Sequence, residues 1–266
     1  MSAAPATAAP PAVDGTDPPI RLRGVSIAFG SKTVLTGLDL DVPRGKNVVI
    51  MGLSGTGKSV MLKTMAGLTK PDSGEVVVRG IHVESADRKE LSEMRKHLGF
   101  LFQSSALIRW MTALENVALP LVEAGVPRRE AEDRARSRLA EVDLEDSADI
   151  YPDAMSGGMM KRVGFCRASI AHPEILLYDE PTTGLDPITK RTIDDLIVSG
   201  RDKYGATGVI VSHDLRSAMR TADLIGLLYE GTIQVLLPPK EFVASEHPVV
   251  REFVTDEGTA ARRSKR

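Results

Sequence analysis

Residues Gly52, Leu53, Ser54, Gly55, Thr56, Gly57, Lys58 and Ser59 fit the pattern G-x-x-x-x-G-K-[ST]. Each residue type has a task in such a loop. Glycines let the backbone curl until successive N–H groups converge on phosphate oxygens. The N-terminus of the following helix adds the positive end of its dipole. Lys58 supplies a point charge for β- and γ-phosphates, and the Ser59 hydroxyl suits Mg²⁺. The apolar run 47–51 reads as the strand such a loop needs. The pairs Met61/Met65 and Leu62/Ala66 read as the helix after it. The implied chemistry is nucleotide binding.

Two carboxylates, Asp179 and Glu180, end the apolar run 175–178. Beside a phosphate loop, an acid at the end of a neighbouring strand holds Mg²⁺, usually through water. Side chains alternate along a strand, so Glu180 is free to face a water in front of the γ-phosphate. His213 ends another strand-like run, 208–212, where ligands collect in open α/β folds. It is placed to hydrogen-bond the γ-phosphate and to order the attacking water. His82, His97, His172 and His247 are assigned no function. Ser156, Gly157 and Gly158 open a helical stretch and make a second anion site from exposed N–H groups and a hydroxyl. A second phosphate cradle is redundant unless it serves another copy's nucleotide.

The elements that must position these groups follow from hydrophobic periodicity. β-rich stretches come first, at 20–29, 34–42 and 47–51, then 76–79 after a turn at Pro71 to Gly74. Leu91, Met94 and Leu98 recur at helical spacing behind Asp87 and Glu90, which are spaced as a capping box. Ala131, Ala135, Leu139 and Val142 form one stripe of an amphipathic helix whose charged face is solvated. Short apolar runs return at 175–178, 209–211 and 224–229, with a helical pattern between the first two. Strand–helix–strand order predicts a parallel α/β sheet, with the early strands and the central helices added to it.

Composition removes several function classes. Lys and Arg number 34 against 36 Asp and Glu, a net charge of −2, which leaves no basic footprint for nucleic acid. The single cysteine, Cys166, excludes an internal disulfide and a multi-Cys zinc site. It reads as a buried, inert thiol in a reducing compartment. No apolar run reaches the length of a membrane span, so any crossing belongs to another chain. Residues 1–19 hold five prolines and six alanines, with no Lys or Arg, and read as a disordered tail rather than a signal. Four of the last five residues are basic and read as a solvated tail.

Taken in order, these motifs resemble the ATP-binding cassette (ABC) ATPases from about Ile20 to Val254. The resemblance implies a P-loop NTPase fold: a RecA-like parallel sheet core, an antiparallel β subdomain and an inserted α-helical subdomain at about 87–168. The cassette would span 20–247, and 248–266 would form a C-terminal extension. It implies that Phe29, in VSIAFG, stacks on adenine. Gly52 to Ser59 is then the Walker A loop, and Gln103 is the Q-loop glutamine that touches Mg²⁺ and senses a membrane partner. Ser156 to Gly158 begins the signature, Asp179 and Glu180 are Walker B and the catalytic base, Asp186 lies in the D-loop, and His213 is the switch histidine. ATP and Mg²⁺ are the implied cofactors. The implied assembly is a head-to-tail dimer, each ATP held between one copy's Walker A loop and the other's signature, with permease helices docking near the Q-loop.

Met155 and Met159 stand where the family pattern has Leu and Gln, and Val60 replaces a polar residue. None of these changes removes a charge or a phosphate donor. The strings LFQSSAL at 101–107, ENVALPL at 115–121 and DEPTTGLDPI at 179–188 resemble the Mla/Mce-type ATPases. Those energise phospholipid or other hydrophobic-compound traffic across the bacterial envelope. That resemblance implies an Mce-type lipid-binding partner and a peripheral place on the cytoplasmic face of the inner membrane. A small polar solute importer, of the amino-acid type, is the alternative. A soluble ABC ATPase acting on ribosomes or DNA fits less well, since heptads and a basic face are missing. Trp110 has two readings, core packing or a partner-facing anchor. The stripe Val249, Val250, Phe253 and Val254 packs on its own domain or docks on the second copy.

Overall fold

Three short apolar runs build the centre. Asn47–Met51 (β3), Ile175–Asp179 (β7) and Thr207–Ser212 (β8) are buried at every position, as a parallel sheet covered on both faces requires. With Leu98–Leu101 (β6), Leu224–Tyr229 (β9) and Thr232–Leu237 (β10) they form a sheet of order β10-β9-β3-β8-β7-β6. Only β10 runs antiparallel to its neighbour. A second, antiparallel sheet of order β2-β1-β4-β5 comprises Ile20–Phe29 (β1), Lys32–Val42 (β2), Ser73–Val78 (β4) and Ile81–His82 (β5). This computed structural model describes residues 17–263. Most of the expected N-terminal tail and the end of the basic tail lie outside the described residues.

Helix α1 (Lys58–Met65) is held between the two sheets. Its Met61, Leu62 and Met65 join Val48 and Ile50 of β3 and Leu22 and Ile27 of β1 in one buried cluster. On the opposite face of the parallel sheet, Ile193 and Ile197 of α6 (Pro187–Tyr204) and Ala218 of α7 (Leu215–Thr221) pack with Val49 and Ile210. A third cluster joins α3 (Ala113–Glu123), α4 (Arg128–Ala140) and α5 (Gly157–Ser169). The stripe Ala131, Ala135, Leu139 and Val142 is buried there, as its spacing predicts. Met155 fills the same cluster, Met159 packs against it, and Val60 packs against the first, so the three departures from the family pattern have apolar surroundings.

Several sequence expectations need correction. Asp87 does close a capping box with Glu90 on α2 (Arg88–Arg95), with Leu91 and Met94 buried. Leu98, however, does not continue that helical stripe but starts strand β6, paired with Ile175. Strand β4 begins at Ser73, inside the expected turn. Trp110 is 79% exposed, which removes core packing as its reading. In α9 (Pro248–Arg263), Val250 is fully buried and Phe253 nearly so, in one cluster of their own chain with Phe242 of α8 (Pro239–Ala244), which lies between α9 and the sheet. Burial of such side chains contributes about 1.5–3 kcal/mol each, so docking on a second copy would first have to undo that packing.

Candidate functional site

The loop after β3 turns into α1 through Gly57, whose φ of 102° is a conformation that suits glycine. A Cβ at Gly57 would also lie 2.7 Å from Val34 Cγ1. Lys58 is 6% exposed and its Nζ donates to the carbonyls of Gly52 at 2.7 Å and Leu53 at 2.9 Å, so it crosses its own loop. Burial pulls its pKa below the ordinary lysine value, and the Glu180 charge works against that shift. Leu53, Ser54 and Gly55 are exposed at the rim, with Thr56 half-buried.

Strand β7 delivers Asp179 to α1. Ser59 Oγ donates to Asp179 Oδ1 at 2.7 Å. Burial raises the Asp179 pKa, the Ser59 hydrogen bond lowers it, and the neighbouring Glu180 raises it again. A hydroxyl and a carboxylate oxygen beside the phosphate loop are hard donors of the kind Mg²⁺ takes, so the donor set fits that ion. Glu180 is the hub of the site. Its Oε2 accepts from Thr183 Oγ1 at 2.8 Å and lies 2.9 Å from His213 Nδ1, while its Oε1 is 3.6 Å from Lys58 Nζ. A carboxylate only accepts, so Nδ1 of His213 carries the hydrogen of that contact. Glu180 itself has φ of 46°, a strained backbone for a non-glycine residue.

The structure therefore brings Lys58, Ser59, Asp179, Glu180 and His213 together from three segments of the chain. Other expected residues stand elsewhere. Phe29 is the last residue of β1 and 55% exposed. The Gln103 side chain is exposed, and its carbonyl accepts from Lys161. Ser156 caps α5 by accepting from the Met159 N–H at 3.2 Å, with Gly157 exposed beside it and Gly158 half-buried. Asp186 caps α6, accepting from the N–H groups of Ile188 and Thr189. A cleft of about 450 Å³ beside Gly55 and Thr56 is also lined by Lys32, Thr36, Tyr229 and Glu230, which sequence reasoning did not single out. Lys32 and Thr36 lie in β2, Tyr229 ends β9 and Glu230 follows it, none within a motif that would signal a site. Lys161, also missed, sits 5% exposed in α5.

The fold and this cluster define a P-loop nucleotide-binding protein. Comparison narrows it: a profile described as ABC transporter matches residues 35–183. The lipoprotein-releasing system ATP-binding protein LolD of Bacteroides thetaiotaomicron is 42% identical over 216 residues, covering 81% of this chain and 99% of that protein. The probable ribonucleotide transport ATP-binding protein mkl of Mycobacterium leprae is 36% identical over 237 residues, covering 88% of this chain and 68% of that protein. A solved dimeric post-hydrolysis structure of the ATP-binding cassette MJ0796, bound to ADP and Pi, matches with TM-score 0.77 and 34% identity. It covers 83% of this chain and 98% of that one. The chain belongs to the ABC transporter family. It is the ATPase subunit of such a transporter, taking ATP with Mg²⁺ and hydrolysing it, and cassettes of this kind form dimers and partner with membrane permeases. Among the described residues no helix is long and apolar enough to cross a membrane.

Proposed function

We propose that this ATPase energises the movement of a phospholipid or other hydrophobic compound across a bacterial envelope. The observation that carries the reading is the full-length likeness to a lipoprotein-releasing ATPase, 42% identical over 99% of that protein. The Mla/Mce-like strings around Gln103, Asn116 and Asp179 point the same way. In this reading the chain sits on the cytoplasmic face of the inner membrane. It binds a permease through the surface next to the Q-loop, where Trp110 stands exposed beside Arg109, and the assembly includes an Mce-type lipid-binding protein. A polar-solute importer is the second reading, favoured by the likeness to the methionine import ATP-binding protein MetN of Carboxydothermus hydrogenoformans, 36% identical over 239 residues.

Within the site, Gly52 to Ser59 cradle the phosphates, and Ser59, Asp179 and Gln103 hold Mg²⁺, which when bound neutralises charge developing on the phosphate oxygens. Glu180 accepts the proton of the attacking water, and His213 fixes the Glu180 carboxylate through Nδ1 and reaches the γ-phosphate side. Phe29 stacks on the base. Ser156, Gly157, Gly158 and Asp186 serve the nucleotide of the second copy in a head-to-tail dimer.

Cargo decides between the two transport readings. The ATPase is to be purified with its permease in detergent and the extracted small molecules identified by mass spectrometry, followed by ATP turnover with candidate cargo. Bound lipid together with lipid-stimulated turnover is the expected result. Turnover stimulated only by a soluble polar solute would replace the lipid reading.

A further inference from the structure

Lys161 lies in the second turn of α5, almost fully buried, and its ammonium donates to two backbone carbonyls. One belongs to Gln103, the other to Glu180 at 3.2 Å. A buried cation on neutral acceptors is an expensive way to fill a core position, since an apolar side chain of similar volume avoids the desolvation cost. Burial accordingly pulls its pKa down, to about 8, while the charges of Asp179 and Glu180 work against that shift. What the residue provides is geometric. The Glu180 N–H donates to the Val211 carbonyl at 3.0 Å, and Lys161 takes the Glu180 carbonyl. The strained peptide at Glu180 is thereby pinned at both ends.

The loop after β6 depends on the same helix. Arg167, further along α5, donates to the carbonyls of Ser105 and Ala106, each at 2.7 Å, where both residues have positive φ. Gly164 brings the helix close enough that a Cβ there would lie 3.2 Å from Ser105 Cβ. Two cations of one helix thus hold the Gln103 loop, and one of them also holds Glu180.

We propose that Lys161 is a positioning residue for ATP hydrolysis, fixing the Glu180 peptide and the Gln103 loop in one register on the helix that starts at Ser156. This rests on the reading of Glu180 as the group that accepts the water's proton. Lys161 touches neither nucleotide nor water in this scheme, so its loss leaves ATP binding in place and slows the chemical step.

The test uses the full chain with Lys161→Met, Lys161→Gln and Glu180→Gln. Turnover, affinity for a fluorescent ATP analogue and hydrogen exchange of the nucleotide-free protein are measured on each. For Lys161→Met, turnover should fall about 10- to 100-fold with analogue affinity within about threefold of the parent, the pattern of a lost positioning contact. Exchange should quicken at residues 102–106 and 180–183 while β7 and α5 keep their protection. Lys161→Gln, which retains two N–H donors, should recover part of the turnover. Parallel loss of affinity and turnover, uniform loss of protection in both Lys161 variants, or unchanged turnover in Lys161→Met would overturn the proposal. If Glu180→Gln is inactive and Lys161→Met is normal, the Lys161 role alone fails. Normal turnover in Glu180→Gln removes the assignment of the base, and the Lys161 role with it.

Discussion

Glu180 combines a costly backbone with a fully engaged carboxylate. Its left-handed conformation costs about 1–3 kcal/mol, held by surrounding contacts rather than by local preference. His213 meets that carboxylate at 2.9 Å and is itself half-exposed, so removing the imidazole opens little core. His213→Ala should therefore lower kcat about 100-fold or more, from the lower end of the range for a lost proton-handling group upward, with ATP affinity nearly unchanged. Parallel measurement of kcat and ATP Kd checks this, and equal losses would assign the residue to packing. Cys166 shows the opposite case. Its buried thiol has a pKa pushed up to about 12, and its Sγ donates to the Arg138 carbonyl, in keeping with the inert thiol expected from the sequence. Residue types at Lys58, Ser59, Asp179, Glu180 and His213 were legible because each closes or follows a strand-like run. The strain at Glu180 was not, since nothing in its neighbours' identities encodes a positive φ.

Strand β6 and helix α5 show how elements set the site's precision. Gly99 of β6 faces α5 so closely that an added Cβ would run into the Ala168 carbonyl, a backbone atom that cannot swing aside. Gly99→Ala should therefore destabilise the fold by about 3 kcal/mol, the upper part of the usual cost of overpacking. A urea denaturation midpoint reads this directly, and an unchanged midpoint would mean that α5 sits further from the sheet than described. The same pair explains the misread at Leu98. Apolar residues at helical spacing also suit a four-residue strand, and periodicity alone cannot separate the two when the run is this short. Longer signals read correctly: the capping box at Asp87 and the stripe from Ala131 to Val142 each occupy several turns or a reciprocal pair of contacts.

At the scale of the molecule, the cluster around Glu180 and the Ser156–Gly158 segment belong to one chain but, in the proposed dimer, serve two nucleotides. Glu180→Gln removes the proposed proton acceptor while leaving the phosphate loop and Lys58 in place. With ATP and Mg²⁺ this variant should accumulate at twice the monomer mass, with dissociation slowed at least about tenfold relative to the parent, because hydrolysis no longer removes the γ-phosphate that bridges the halves. Light scattering after size exclusion checks it, and a monomer at saturating ATP would count against the shared-site dimer. Sequence alone determined the phosphate loop, the acidic strand end and the parallel core, because these depend on neighbours within a few residues and on runs that must be buried on both faces. Tertiary structure decided that the C-terminal stripe packs into the core of its own chain and that Trp110 faces solvent. It also decided that Lys161 ties Gln103 to Glu180. Those contacts join residues far apart along the chain, where the packing of whole elements, not local propensity, sets which atoms meet.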